Sequence, residues 1–334
     1  MKAIAEYRGV GRACFVEDIR PLGQPAVLRG LAAGWPAVAA GRQSPAALAD
    51  YLKRFAVTRE VPVLAGPPEI GGRFFYQEGL RALNFSRGAA PLPVFLDRLL
   101  AIAGDARPEA LAVQSEPVAE LLPGFREEND IDLLDPPVVP RAWLGNAVRV
   151  AAHYDVKENI GVVVAGRRRF TLFPPGQVAN LYPGPFELTP AGTPVSLADP
   201  AHPDLDRFPR FAEALAHAQS AELEPGDAIY IPYHWWHAVD SLEPVNLFVN
   251  YWWNSAMPGL GAPYDALLHA FLAFRHLPPE QRAAWRLTFD HYIFCTGGDP
   301  ADHLPPDARG VMGAATPEQL RAMRAMLKQA LGRL

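Results

Sequence analysis

The sequence predicts a mainly β protein, an antiparallel sandwich or barrel with flanking helices, and two observations carry that expectation. Between about Leu111 and Trp253, short runs rich in Val, Ile, Phe and Trp alternate with Gly/Pro turns, as repeated antiparallel strands do. Beyond Pro258 the strand signals fade and three segments of helical period follow. Three regions are therefore expected: an N-terminal α+β flanking region over 1–110, a β core over 111–257, and a C-terminal helical region over 258–334.

In the first region, Pro25 to Gly30 reads as a short buried strand ending at a glycine. Ser44 is a good helix cap, with Pro45 at the first helical position, for a helix through about Phe55. Phe74-Phe75-Tyr76 looks like a strand and Leu92 to Ala103 a helix. Packing is the expected role of these pieces. In the core, strands are expected at Leu111 to Gln114, Trp143 to His153, Ile160 to Ala165, Arg168 to Phe173, Ala228 to Pro232 and Val245 to Trp253. One connection, 176–221, is rich in Pro, Asp and Gly and holds one plausible helix, Phe208 to Ala218. Insertions of that length in compact β domains are often lids or binding loops.

The C-terminal helices are expected over Tyr264 to Phe274, Pro279 to Phe294 and Pro317 to Leu331. Thr316 stands three residues before Gln319, a capping box for the last of them. Leu320, Met323, Leu327 and Leu331 form an apolar stripe on it, suited to packing or to a homodimer face rather than to catalysis.

Composition narrows the function classes. Hydrophobic residues make up 49% of the 334 and charged residues 20%, an ordinary globular balance. A net charge of −5 offers no general attraction to nucleic acid or anionic membrane, so a polyanion partner would need a local basic patch. Cys14 and Cys295 are the only cysteines and lie far apart, which argues against a disulfide framework. With no apolar leader at the N-terminus and no run of about 18 apolar residues, a cytoplasmic protein is expected.

The chemistry is concentrated in His153-Tyr154-Asp155. Residues i and i+2 of a strand point to one face, so this histidine and aspartate can reach one metal. A second histidine from a neighbouring strand would complete two imidazoles and a carboxylate, a facial triad suited to non-haem Fe(II). Tyr233-His-Trp-Trp-His237 offers two candidates. His237 is favoured because it lies deeper in the run toward Ala238-Val239, while His234 sits beside the Pro232 break. A Trp/His-rich core with satisfied histidines is the competing reading. The aromatics Tyr154, Trp235, Trp236, Trp252 and Trp253 are expected to pack around the site.

Several segments, in order, resemble the cupin-like branch of the JmjC-type oxygenases. They are His153-Tyr-Asp155 followed by Asn159, Gly166-Arg-Arg-Arg-Phe-Thr-Leu-Phe-Pro-Pro175, Leu181-Tyr-Pro183, Pro225 to Pro232, Trp235-Trp-His237 and Val249-Asn-Tyr-Trp-Trp253. The likeness extends from about Pro25 to Trp253. It implies a double-stranded β-helix (cupin or jelly-roll) core and an Fe(II)- and 2-oxoglutarate-dependent oxygenase with His153, Asp155 and His237 as iron ligands. It also places Asn159 and Asn250 in the cosubstrate pocket. Arg168 falls where relatives carry a lysine that holds the distal carboxylate of 2-oxoglutarate, and its fork can give that carboxylate two parallel hydrogen bonds. Strand alternation sets Arg168 with Phe170 and Leu172, opposite Arg167 and Arg169. Two positions depart from the pattern: Val150 replaces a threonine and Ala112 a tyrosine that relatives use toward the same cosubstrate. A peptidyl or small-molecule substrate is implied. A metal cupin that does not use 2-oxoglutarate and a non-catalytic binding module are the rival readings.

Overall fold

The computed structural model describes residues 1–135, 138–256 and 259–332. In chain order the strands begin with β1 (Lys2–Ala3), β2 (Ala5–Arg8), β3 (Ala26–Arg29), β4 (Glu60–Gly66) and β5 (Arg73–Phe74). They continue with β6 (Ser86–Pro91), β7 (Ala110–Pro117), β8 (Pro140–Gly145), β9 (Arg149–Tyr154) and β10 (Glu158–Ala165). The last five are β11 (Arg168–Phe173), β12 (Gln219–Leu223), β13 (Ala228–Ile231), β14 (Trp236–Ser241) and β15 (Asn246–Trp253). One sheet runs β1-β12-β11-β14-β9-β5 and the other β2-β3-β13-β10-β15-β8-β7-β4-β6.

Alternation decides what each face packs against. Phe170, Leu172 and Val239 of the first sheet meet Val163, Ile229, Ile231 and Phe248 of the second, so the two inner faces share one apolar layer. The larger sheet turns Ile160, Val162, Val164, Leu247 and Val249 outward, under the helices that carry Leu48, Leu52, Phe95 and Leu99. That is why β10 is buried along its whole length. Gly161 lies on the inner face, where a Cβ would stand 1.9 Å from Phe248 Cζ; only the bare backbone lets that ring in. Two packed sheets with flanking helices bear out the expected jelly-roll core.

The helix Pro45–Lys53 starts as expected, with the Ser44 hydroxyl accepting from the Ala47 amide. The expected run Trp143 to His153 is instead two strands, and they belong to different sheets. Gly145-Asn146 breaks it. A Cβ at Gly145 would lie 2.5 Å from the Leu111 carbonyl, and the Asn146 side chain accepts from the Leu111 amide while donating to the Glu109 carbonyl. The far end of the 176–221 connection also differs, because Gln219–Leu223 is β12, paired with both β11 and β1. Its half-exposed, polar sequence has no apolar alternation, so the backbone ladder alone marks it as a strand. The rest of the connection packs on the outer face of the smaller sheet through Leu181, Ala198, Phe208 and Phe211. Arg149 fixes it there with two hydrogen bonds to Asp199, of 2.9 and 2.8 Å.

Met1–Asn254 form one compact unit and Ser255–Leu334 a second. The expected boundary between residues 257 and 258 falls outside the described residues. In the second unit the helices Pro263–Phe274, Pro279–Tyr292 and Pro317–Leu331 follow the helical segments read from the sequence, and the Thr316–Gln319 capping box is formed on both sides.

Candidate metal and cosubstrate site

Register brings the three candidate ligands together. His153 on β9 pairs directly with His237 on β14, and Asp155 follows two residues beyond His153 on the same side. Each offers a ligand atom, and these atoms all lie within 4.8 Å of one another, the one such set among the described residues. Nδ1 of His153 lies 3.0 Å from the Ala151 carbonyl, and Nδ1 of His237 lies 3.1 Å from the Trp235 carbonyl. Donation there holds both rings with Nε2 free to ligate. Burial, and then the neighbouring His237, push the His153 imidazole down to about 4, so it is neutral at pH 7 and needs to shed no proton to bind a cation. Two imidazoles and one carboxylate on one side of an open cavity fit Fe(II).

His234 stands apart. Its backbone is left-handed (φ 66°), and its ring stacks on Tyr154 at 4.2 Å between centroids, outside the cavity. His234→Ala is therefore expected to retain most metal affinity and His237→Ala to lose it, as read by metal content after dialysis. The reverse pattern would reassign the site.

The ligands line a cavity of about 430 Å³ between the two sheets. Its closed end holds Arg168, 7% exposed, whose guanidinium stands 4.8 Å over the Phe248 ring that Gly161 admits. Among the described residues Arg168 Nε has no hydrogen-bond partner, and burial alone pushes the guanidinium down to about 9, so it remains charged at neutral pH. A buried unpaired cation is costly. Its presence here is what a site for a carboxylate-bearing ligand requires. Its neighbours behave differently: Arg167 pairs with Glu243 and Arg169 with Glu222, both at the surface. Asn159 and Asn250 also line the cavity, with Asn250 Nδ2 donating to Asn159 Oδ1 at 3.1 Å. That arrangement leaves the Asn159 amide hydrogens for a ligand.

Of the two departures, Val150 lines the cavity, whereas Ala112 sits in a small apolar cluster with Phe74 and Val148, and Gln114 reaches the wall instead. Among the five aromatics expected around the site, only Trp252 lines it. Tyr154 and Trp236 face the connection on the outer side, Trp235 belongs to the layer between the sheets, and Trp253 packs on Phe15 and Tyr230. Two indoles do more than pack. Trp252 Nε1 donates to Asp155 Oδ2 at 2.9 Å, and Trp143 Nε1 donates to Asn250 Oδ1 at 2.7 Å. The signal for the second was cross-strand: Trp143 opposes Phe248, which shares a face with Asn250 and Trp252.

Comparison with known proteins agrees with this geometry. A family profile described as a cupin-like domain matches residues 12–258. Human HSPB1-associated protein 1 is 37% identical over 114 residues, which cover 33% of this chain and 22% of that protein. Lysine-specific demethylase JMJ31 of Arabidopsis thaliana is 37% identical over 114 residues, 34% of this chain and 20% of the relative. Lysine-specific demethylase 8 of Danio rerio is 28% identical over 253 residues, 72% of this chain and 55% of the relative. The chain thus spans less than two thirds of the length of these relatives.

Proposed function

The chain belongs to the cupin-like domain family, and from that premise we propose that it is an Fe(II)- and 2-oxoglutarate-dependent oxygenase that hydroxylates a C–H bond. One observation carries the reading: three converging metal donors share a cavity with a buried, carboxylate-free arginine. Fe(II) with 2-oxoglutarate supplies the oxidising power that this chemistry needs. The protein does the rest. His153 and His237 present Nε2 lone pairs, and Asp155 presents a carboxylate oriented by the Trp252 indole. Arg168 takes the distal carboxylate of the cosubstrate through its fork, and Asn159 and Asn250 contact it from the larger sheet. Phe170, Ile231, Val239 and Phe248 close the end of the cavity and exclude water. The test is succinate formation from 2-oxoglutarate by the Fe(II)-reconstituted protein, at a slow basal rate without substrate. Failure of 2-oxoglutarate to bind would favour a cupin whose substrate ligates the metal directly.

Relatives named as lysine-specific demethylases support a protein or peptide substrate over a small molecule. A cytoplasmic setting suits the free thiols Cys14 and Cys295; among the described residues no helix is long and apolar enough to cross a membrane. The exposed stripe Met323, Leu327 and Leu331 supports a homodimer through the C-terminal helices. Sedimentation should then give a dimer mass, and Met323→Asp/Leu327→Asp a monomer; an unchanged mass would remove this face from the assembly.

A further inference from the structure

Arg168 has a counterpart at the other end of the cavity. The open end is walled by the inner face of the larger sheet, where Arg87 on β6, Leu64 and Pro62 on β4 and Gln114 on β7 line the cavity beside Trp143 and Trp252. Arg87 is exposed there. Arg141 lies directly across the ladder from Asn250 and two residues from Trp143, so it stands on the same face. Lys157 holds its ammonium 5.8 Å over the Trp252 ring. Among the described residues none of these three cations has a carboxylate within ion-pair distance. Some arginines elsewhere are paired, as Arg20 is with Glu158, Arg29 with Glu6 and Asp227, and Arg149 with Asp199. Others, such as Arg81 and Arg107, also lack an ion pair among the described residues, and what sets Arg87, Arg141 and Lys157 apart is that they share one face of the larger sheet. Carboxylates are not scarce, since the chain carries 36 against 31 Lys and Arg. The acidic residue that lines this end, Glu116, already faces Arg59 at 3.7 Å.

The wall also ends in an open strand. β6 is the outermost strand of the larger sheet, and its residues Ser86 to Ala89 are exposed and, apart from Arg87, small. Such an edge can accept an extended chain by main-chain pairing, with alternate side chains of the guest facing the sheet's inner side.

From these observations, and resting on the oxygenase reading, we propose that the substrate is an acidic peptide segment. It pairs with β6, where Arg87 meets an Asp or Glu side chain, and its continuation crosses the inner face of the larger sheet, where Arg141 on β8 and Lys157 beside Trp252 meet further Asp or Glu side chains. The cations supply electrostatic selection and a fast approach, and the edge supplies register. An oligonucleotide suits the wall less well, because the chain is acidic overall and the strand edge offers a polynucleotide nothing to pair with.

The test uses the full chain loaded with Mn(II) and 2-oxoglutarate and three fluorescein-labelled peptides of one length. They are rich in Asp/Glu, in the matching Asn/Gln, or in Lys, and a single-stranded oligonucleotide is added as a competitor. The acidic peptide should bind about tenfold or more tighter than its amide counterpart, with affinity that falls as salt rises. Arg87→Glu/Arg141→Glu should erase that preference and favour the Lys peptide. Lys2→Glu/Arg107→Glu, equal in net charge but outside the cavity lining, should not, and thermal unfolding reads folding separately. Equal binding of acidic and amide peptides, no binding of any at about 1 mM, or stronger binding of the oligonucleotide would each overturn the proposal. The metal-to-ligand absorbance of the Fe(II) and 2-oxoglutarate protein separates the two levels. Lost peptide selectivity with a normal band overturns only the substrate class. If the band is absent, the oxygenase reading falls, and peptide selectivity is then read on the metal-free chain.

Discussion

Arg168→Ala is expected to weaken 2-oxoglutarate binding by about a hundredfold or more while leaving metal binding near normal. The guanidinium is buried at the closed end of the cavity, and among the described residues no carboxylate shares that end. Removing the charged partner of a buried carboxylate costs about 3–5 kcal/mol, and each ~1.4 kcal/mol is a factor of ten in affinity. With Val150 apolar and Ala112 away from the wall, few other groups can share the load. Arg168→Lys should recover part of the affinity, because the charge returns without the two-pronged fork. Arg167→Ala and Arg169→Ala should change little, since both side chains face solvent and pair with glutamates. Titrating 2-oxoglutarate into the anaerobic Fe(II) protein, followed by the charge-transfer absorbance, decides the matter. Parent-like affinity in Arg168→Ala would move the cosubstrate elsewhere. The same residue sets a sign for stability against pH. Its proton is held less tightly in the folded chain than in the unfolded one, so the bare protein carries a penalty at neutral pH. That penalty is relieved as pH rises through about 9 toward the ordinary arginine range. Saturating 2-oxoglutarate should remove it at neutral pH as well and raise the unfolding temperature.

Loss of stoichiometric iron is the expected result of His153→Ala and of Asp155→Ala. Even residues that only orient a metal ligand cost 10–100-fold in affinity when mutated, so a ligand itself should cost more than about a hundredfold. Trp252→Phe provides that lesser comparison, because it removes the indole hydrogen bond to Asp155 and leaves all three ligands in place. Metal per chain, measured by mass spectrometry after anaerobic reconstitution, reads all three. Full iron occupancy in the His153→Ala/Asp155→Ala double variant would falsify the assignment of the triad. Retention in Trp252→Phe at the level of the parent would reduce that indole to packing.

Much of this site is legible in the amino-acid sequence. The i, i+2 spacing of His153 and Asp155 and the alternation along Arg168, Phe170 and Leu172 are local rules, and strand geometry enforces them wherever the strand lies. Pairing of His153 with His237 needed only that two apolar runs be neighbours. What local rules could not supply was the partner of each face. The break at Gly145-Asn146 sends β8 and β9 to opposite sheets, which no periodicity within 143–153 announces. Tyr154 and Trp236, adjacent to ligands in the chain, point away from the cavity by the same alternation that sets His153 with Asp155, so a strict reading of that rule would have placed them on the outer face. The open-end wall was least visible, since Pro62, Leu64 and Arg87 come from strands with no distinctive pattern, and only their place in the sheet makes them neighbours of the metal donors.

The indole bond between Trp252 and Asp155 also has an optical consequence. Trp252 lies 5.7 Å from Trp143 with the ring planes at 86°, so the two indoles form a close, nearly perpendicular pair of chromophores beside the metal donors. A paramagnetic ion held by Asp155 would sit within quenching range of both, and it would perturb their coupled near-ultraviolet circular dichroism. Intrinsic emission should therefore fall in step with loading and recover on chelation, and Trp252→Phe should blunt the response. Iron occupancy becomes measurable in the unlabelled protein, without turnover and before any substrate is in hand.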